Sequence, residues 1–225
     1  MSHIHIIVDR ETLWKKIIYV VIYYGFYCNG IFLLLFPKIF EDFFFLVYLL
    51  ILYIGGIIDT FLRPIETESK EEGNFFVYIL VLLLLSPFLF ILAIVENEWL
   101  FSERITIISW IGLMMYATAA VLVIIARVQL GKQATAYLAL VKNHELVQSG
   151  IYRHIRHPMY SATLVGILGF GLVTQSIIVT IVTFVLYFKI FNDRATREEK
   201  ILKDAFGEAY ERYLHQTKRY IPYLF

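Results

Sequence analysis

The chain has 225 residues, 59% of them hydrophobic, and its mean hydropathy is +0.68. A soluble domain is closer to half apolar, so this composition excludes an ordinary soluble protein and indicates an integral membrane protein. The formal net charge of +1 gives no reason to expect a nucleic-acid partner, and the single cysteine, Cys28, excludes an intrachain disulfide. We expect one all-α membrane domain, a polytopic helical bundle over residues 1–225.

Four apolar blocks precede residue 127. Each is long enough to cross a bilayer, which takes about 20 residues. We therefore predict four transmembrane spans within residues 1–126, at 17–36, 43–61, 75–95 and 105–126.

A fifth apolar region, residues 161–190, is interrupted by Thr174, Gln175 and Ser176. It can be one long tilted span or a helical hairpin that turns near the far leaflet. A hairpin places nearly all of the 20 Lys and Arg residues on the same side of the membrane. The positive-inside rule therefore favours four spans plus a hairpin, with both termini and the active site cytoplasmic.

Polar residues concentrate after the fourth span, so we predict that residues 127–225 form the catalytic region. Pro158 disfavours a helical conformation at His157, so a new helix is expected to begin at about Met159. After the hairpin, apolar residues recur at three- and four-residue spacing over 193–214, which predicts an amphipathic cytoplasmic helix. Arg194 and Glu198 share one face of that helix.

Each polar feature has a simpler interpretation as well. Arg194 and Glu198 can be an ordinary surface ion pair, and Arg153 and Arg156 can anchor the chain at the membrane surface. No metal site is predicted, because Pro158 breaks the helical register of the nearby histidines. The glycines at 166, 169 and 171 indicate close helix packing in the hairpin, since no strand precedes them to form a nucleotide-binding loop.

The order of these motifs is more specific than any one of them. Gly-x-Tyr-Arg-x-x-Arg-His-Pro-x-Tyr begins at Gly150, and an apolar hairpin follows it. Arg-x-x-x-Glu-Glu then begins at Arg194, and Phe-Gly-Glu-x-Tyr-x-x-Tyr begins at Phe206. Over residues 146–222 this arrangement resembles the isoprenylcysteine carboxyl methyltransferase family of membrane methyltransferases. The wider superfamily includes phospholipid N-methyltransferases and, more distantly, sterol reductases.

The resemblance implies a helical membrane bundle that binds S-adenosyl-L-methionine in its cytoplasmic polar region. A lipophilic substrate, either a prenylcysteine or a lipid, would enter from the bilayer. Arg194 and Glu198 would be the catalytic residues that face the methyl acceptor. The resemblance assigns the cofactor pocket to Leu146, Val147, Tyr152, Arg153, His157, Pro158, Tyr160 and Glu199.

The chemistry suits these residue types. Methyl transfer from a sulfonium is an in-line displacement, so the enzyme mainly aligns the two reactants. The α-carboxylate of a prenylated cysteine is already ionised at neutral pH and needs no base, and an arginine fork matches its planar shape. A lipid amine would arrive protonated and would need a base such as Glu198 or His157. A non-enzymatic transporter and a sterol-type reductase are further alternatives.

Overall fold

The computed structural model of the protein describes residues 14, 16–18, 20–21, 40–62, 88–98, 104–134 and 144–222. Within these ranges the regular structure is helical, apart from one isolated parallel bridge between Ile155 and Lys218. Residues 88–98 are helical, and short 3-10 helices cover Gly131–Gln133 and Gly150–Arg153. Five α-helices are described from end to end: α1 (Phe43–Leu62), α2 (Thr106–Leu130), α3 (Pro158–Thr174), α4 (Ile177–Phe206) and α5 (Glu208–Gln216).

Two helical stretches in the described part of the chain are long and apolar enough to cross a membrane: Phe43–Leu62 and Thr106–Gln133. They match the second and fourth predicted spans. Most of the first predicted span lies outside the described residues. Of the third, only residues 88–95 are described, and they are helical. The number of spans before residue 127 therefore stays a prediction.

The predicted hairpin is confirmed, because α3 and α4 are separate helices joined by Gln175 and Ser176. Gln175 adopts a left-handed conformation with φ of 53°, which ends α3. Its side chain accepts a hydrogen bond from the Ile105 amide at 3.1 Å and donates to the Ile105 carbonyl at 2.9 Å. A third bond, from the Gln175 amide to the Ser109 hydroxyl at 3.1 Å, completes this link. The hairpin turn is thereby tied to the start of α2.

The structure does not contain the separate amphipathic helix predicted over residues 193–214. Instead, α4 continues without a break from the apolar hairpin to Phe206, and α5 begins at Glu208. The sequence between residues 177 and 206 contains neither glycine nor proline, so a change in polarity alone does not end the helix. The break occurs at Gly207, which has a φ of 51° and takes this conformation without the steric cost of a side chain.

Helices α2 and α3 pack backbone against backbone. A Cβ atom at Gly112 would lie 2.7 Å from the carbonyl oxygen of Gly169, and one at Gly169 would lie 2.8 Å from the amide nitrogen of Tyr116. The prediction of close packing is correct, although Gly169 contacts α2 and only Gly171 packs within the hairpin, against Thr180. The adjoining core is apolar and consists of Phe45, Tyr48, Leu49, Phe90, Ile94, Leu113 and Val173.

The C-terminal end of α2 supports the polar half of the molecule. Arg127 forms an ion pair with Asp59 of α1, with Nε 2.7 Å from Oδ1. The hydroxyl of Tyr152 donates to the carbonyl of Ala126 at 3.3 Å, so the 3-10 helix Gly150–Arg153 rests against α2. This contact brings the segment before α3 to the same end of the bundle as the C-terminal end of α2.

Candidate functional site

The loop that leads into α3 is held by the C-terminal tail. The amide of Arg156 donates to the carbonyl of Lys218 at 2.8 Å, and the amide of His157 donates to the carbonyl of Arg219 at 3.1 Å. The Lys218 amide in turn donates to the carbonyl of His154 at 3.2 Å. Pro158 is the first residue of α3, where its missing N–H is not needed. These contacts fix His157 at the start of the helix.

Three side chains meet where α3 faces α4. The hydroxyl of Tyr160 donates to Oε1 of Glu198 at 2.6 Å. Nε of Arg194 lies 2.8 Å from that hydroxyl and 2.9 Å from the same carboxylate oxygen. Tyr160 lies within the first turn of α3, whereas Arg194 and Glu198 are one turn apart on α4. The hairpin therefore builds this group, which connects its two helices.

Glu199 is the centre of a second group. Its Oε1 atom lies 3.0 Å from Nε of Arg156, 3.1 Å from Nε2 of His157 and 3.1 Å from Nε of Arg219. Arg219 also pairs with Oε2 through Nη2. Although burial alone would raise the pKa of Glu199, the hydrogen bonds from His157, Arg219 and Arg156 outweigh it and lower the pKa to about 2.

His157 lies between the two carboxylates. Its Nε2 faces Glu199, and its Nδ1 is 3.5 Å from Oε2 of Glu198. Burial alone would lower the pKa of His157, but hydrogen bonds to Glu198 and Glu199 raise it above its ordinary value. The pKa of Glu198 is lowered, because its contacts with His157 and Arg194 outweigh the effect of burial. The imidazole and both carboxylates are therefore charged together near pH 6.

Aromatic rings form one wall beside these charges. The rings of His157 and Tyr160 are stacked with centroids 5.3 Å apart and an interplanar angle of 4°. Tyr160 and Phe191 are stacked at 4.7 Å and 6°. Tyr160 is thus packed between His157 and Phe191, which fixes the ring whose hydroxyl reaches Glu198.

The structure brings together six of the ten predicted site residues. Arg194, Glu198, Glu199, His157 and Tyr160 form the cluster, and buried Pro158 adjoins it. Tyr152 is buried at its edge, and its carbonyl accepts a bond from the Tyr213 hydroxyl at 2.7 Å. Of the other three, Leu146 and Val147 are half-buried in the irregular segment before the 3-10 helix, and Arg153 is exposed.

The sequence-based assignment omitted three residues that the structure places in the cluster: Arg156, Asn192 and Arg219. Arg219 donates to Oδ1 of Asn192 at 3.1 Å as well as to Glu199. A signal for Asn192 was present, because positions 192, 196 and 199 are polar and share one face of a helix. Nothing in the spacing of the tail indicates that Arg219 folds back onto that face.

Comparisons with known proteins agree with this architecture. Residues 107–209 match the family described as phospholipid methyltransferase. A solved structure of a eukaryotic intramembrane Ras methyltransferase, isoprenylcysteine carboxyl methyltransferase, is similar with a TM-score of 0.60 and 20% identity. The similarity covers 80% of this chain and 65% of that chain, and at this identity it shows the fold alone. The shared fold is that of an integral membrane protein.

Relatives with similar sequences belong to two groups. The protein-S-isoprenylcysteine O-methyltransferase of Schizosaccharomyces pombe is 33% identical over 99 residues, which is 43% of this chain and 42% of the relative. A probable enzyme of the same name from Oryza sativa subsp. indica is 28% identical, over 52% of this chain and 62% of the relative. The cobalt-zinc-cadmium resistance protein CzcN of Cupriavidus metallidurans is 38% identical over 39% of this chain and 40% of its own length. The matched part of this chain thus spans less than two thirds of each relative.

Proposed function

We propose that the protein transfers a methyl group from S-adenosyl-L-methionine to the α-carboxylate of a prenylated cysteine, because it is similar to the isoprenylcysteine carboxyl methyltransferases in sequence and fold. The observation that carries the proposal is the group formed by Arg194, Tyr160 and Glu198. It lies just beyond the apolar part of the hairpin, where the polar part of α4 begins. A lipid-linked substrate and a water-soluble methyl donor can meet at such a boundary between apolar and polar regions.

The described residues fit this methyl donor. The donor carries a sulfonium and an amino-acid group, so it needs negative, positive and aromatic partners. The cluster offers all three within one site, in Glu198, the arginines and the aromatic side chains of Tyr160 and Phe191. When bound, S-adenosyl-L-methionine supplies an electrophilic methyl group on a good leaving group.

The protein's own task is then to place the acceptor in line with that methyl group. Arg194 is the residue for this task, because a guanidinium binds a planar carboxylate through paired hydrogen bonds. Glu198 and Tyr160 both contact its Nε atom, which fixes the plane of the guanidinium. The acceptor carboxylate is ionised without a base, so alignment accounts for most of the rate enhancement.

The positive-inside rule adds the orientation. The hairpin returns the chain to the side of the membrane on which α3 begins, and the residues beyond 189 are rich in Lys and Arg. We therefore propose that the site and both termini face the cytoplasm. The lipid portion of the substrate would reach Arg194 from the bilayer.

A lipid amine is the second candidate acceptor, favoured by the match to the phospholipid methyltransferase family. An amine must lose a proton before it can attack, and Glu198 is the carboxylate placed to accept it. The two acceptors place different demands on Arg194. A carboxylate needs this cation, whereas a protonated amine is repelled by it.

The experiment measures transfer of label from methyl-tritiated S-adenosyl-L-methionine to N-acetyl-S-farnesylcysteine by the full chain purified in detergent. We expect base-labile counts that are lost in Arg194→Ala and kept in Arg197→Ala, a matched change at an exposed arginine of the same helix. Donor binding is measured separately by calorimetry.

Donor binding without transfer to farnesylcysteine, together with transfer to phosphatidylethanolamine, would assign the amine acceptor. A folded protein that neither binds the donor nor transfers methyl groups would overturn the methyltransferase proposal.

A further inference from the structure

Arg219 connects the C-terminal tail to three positions of α4. Its Nη1 atom lies 3.1 Å from Oδ1 of Asn192 and 3.3 Å from Oγ1 of Thr196. Nε lies 3.1 Å from Oε1 of Glu199, and Nη2 pairs with the other oxygen. Positions 192, 196 and 199 share one face of the helix. One guanidinium therefore contacts about two turns of α4.

The backbone at Arg219 and Tyr220 contacts the start of α3, on the other side of the site. The carbonyl of Arg219 accepts the amide of His157 at 3.1 Å, and the carbonyl of Tyr220 accepts the Ser161 hydroxyl at 2.6 Å. The same short tail segment thus contacts the start of α3 through its backbone and α4 through a side chain. Its conformation sets the separation between His157 and Glu199.

The two neighbouring glutamates differ in how far their side chains are exposed. Oε1 of Glu199 already lies within 3.1 Å of nitrogen atoms of Arg156, His157 and Arg219, and its side chain is 12% exposed. The side chain of Glu198 is 26% exposed. Protein donors hold both carboxylates, since Tyr160 and Arg194 also bind Oε1 of Glu198, and Glu198 differs in being the more exposed of the two.

We propose that Arg219 is a positioning residue for methyl transfer, which acts through Glu199 to hold His157 and α4 in register without touching the donor or the acceptor. This inference rests on the proposed function. It changes the role of Glu199 from direct contact with the methyl donor to holding the side chains of Arg156, His157 and Arg219. Side chains that contact a substrate keep a productive geometry only when other residues hold them in place.

Two possible roles of Arg219 predict opposite changes in the pKa of His157 when this residue is replaced. If only charge matters, loss of Arg219 removes a nearby cation, and the pKa of His157 rises. If Arg219 positions Glu199, the carboxylate moves away when the fork is lost, and the pKa of His157 falls. The groups that face His157 in this comparison are Glu198 and Glu199 of α4, Tyr160 of α3 and Tyr220 of the tail, with Arg156 and Arg219 behind Glu199.

The test is titration of His157 by NMR in full-length protein labelled with ¹³C-histidine, the resonance being assigned from its loss in His157→Gln. We compare Arg219→Gln and Arg219→Lys with Lys218→Gln, which removes one exposed charge from the adjacent residue. Asn192→Ala removes one contact of Arg219 and leaves its charge in place, so it serves as a milder variant if the others fail to fold.

We expect the pKa of His157 to fall in both Arg219 variants and in Asn192→Ala, and to stay unchanged in Lys218→Gln. The value of kcat should fall about ten- to a hundredfold in the Arg219 variants, the loss that follows a misplacement of about 1 Å. A rise in the pKa of His157, or no change in it, would overturn the positioning role. Absence of methyl transfer by the wild-type protein would refute the proposed function, and the titration would still decide how Arg219 acts.

Discussion

Tyr160 donates its hydroxyl hydrogen to Glu198 at 2.6 Å across 38 positions of sequence. The same oxygen accepts a hydrogen bond from Arg194 at 2.8 Å, so a single phenol connects a carboxylate and a guanidinium that share one helix. Arg194 and Glu198 alone would be an ordinary ion pair of neighbouring helical turns. The contact with α3 makes them part of a site between two helices.

The phenol hydroxyl of Tyr160 should therefore be needed for methyl transfer. Tyr160→Phe keeps the stacked ring but removes the bridge, which costs about 1.5–3 kcal/mol for a hydrogen bond to a charged group. We expect kcat/KM to fall by about ten- to a hundredfold as Arg194 loses its alignment, and the lost hydrogen bond should also lower the melting temperature. The measurement is initial-rate kinetics of labelled methyl transfer. Equal kcat/KM in variant and wild type would show that the hydroxyl is dispensable.

The close approach of α2 and α3 predicts which glycines tolerate a methyl group. A Cβ at Gly169 would lie 2.8 Å from a backbone nitrogen of α2, whereas a Cβ at Gly55 would meet its nearest neighbour, the Ala120 Cβ, at 3.7 Å. Gly169→Ala should destabilise the protein by about 1–3 kcal/mol through overpacking, and Gly55→Ala should be tolerated. Thermal unfolding in detergent, followed by tryptophan fluorescence, compares the two. A similar melting temperature in both variants would contradict the close packing of α2 against α3.

Most residues of the cluster could be predicted from the sequence because the motifs that contain them lie on regular elements. The four-residue spacing of Arg194 and Glu198 survives in α4, and Pro158 begins α3 as expected. Residues fixed by tertiary contacts were missed. Arg219 reaches Glu199 only because the tail pairs with the loop before His157, and no local pattern encodes that pairing. The continuous α4 was missed for a related reason, since polarity changes along it while helix propensity does not.

Acid stability should depend on Glu199. The pKa of this carboxyl is lowered from 4.5 to about 2, so its contribution to stability is present above pH 4.5 and is lost as the pH falls towards 2. The linked free energy is about 3 kcal/mol. His157 acts in the opposite sense: because its pKa is raised, its contribution is complete below pH 6.5 and is lost as the pH rises through the raised value.

We therefore expect Glu199→Gln to flatten the dependence of the melting temperature on pH between 4.5 and 2. The control is Glu208→Gln, because the Glu208 side chain is 91% exposed. If Glu199→Gln keeps the wild-type slope over this acid range, the low pKa assigned to Glu199 is incorrect.

A buried carboxylate at the other end of the hairpin should stabilise the start of α4. Oε1 of Glu96 accepts the amide of Ile178 at 2.8 Å, and Oε2 accepts the amide of Val179 at 2.8 Å. Both amides belong to the first turn of α4, where N–H groups have no partner within the helix and negative charge is favoured. Glu96 thus caps this helix from a segment far away in sequence.

Glu96→Gln replaces one accepting oxygen with an NH₂ group that faces an N–H donor. Leaving that buried amide unsatisfied should cost about 1–3 kcal/mol and lower the melting temperature, whereas Glu98→Gln, at an exposed position two residues on, should leave it unchanged. Since the cap and Glu198 are separated by about 30 Å of helix, donor affinity measured by calorimetry should change little in Glu96→Gln. A large loss of donor affinity with an unchanged melting temperature would contradict this role and would place Glu96 in communication with the polar site.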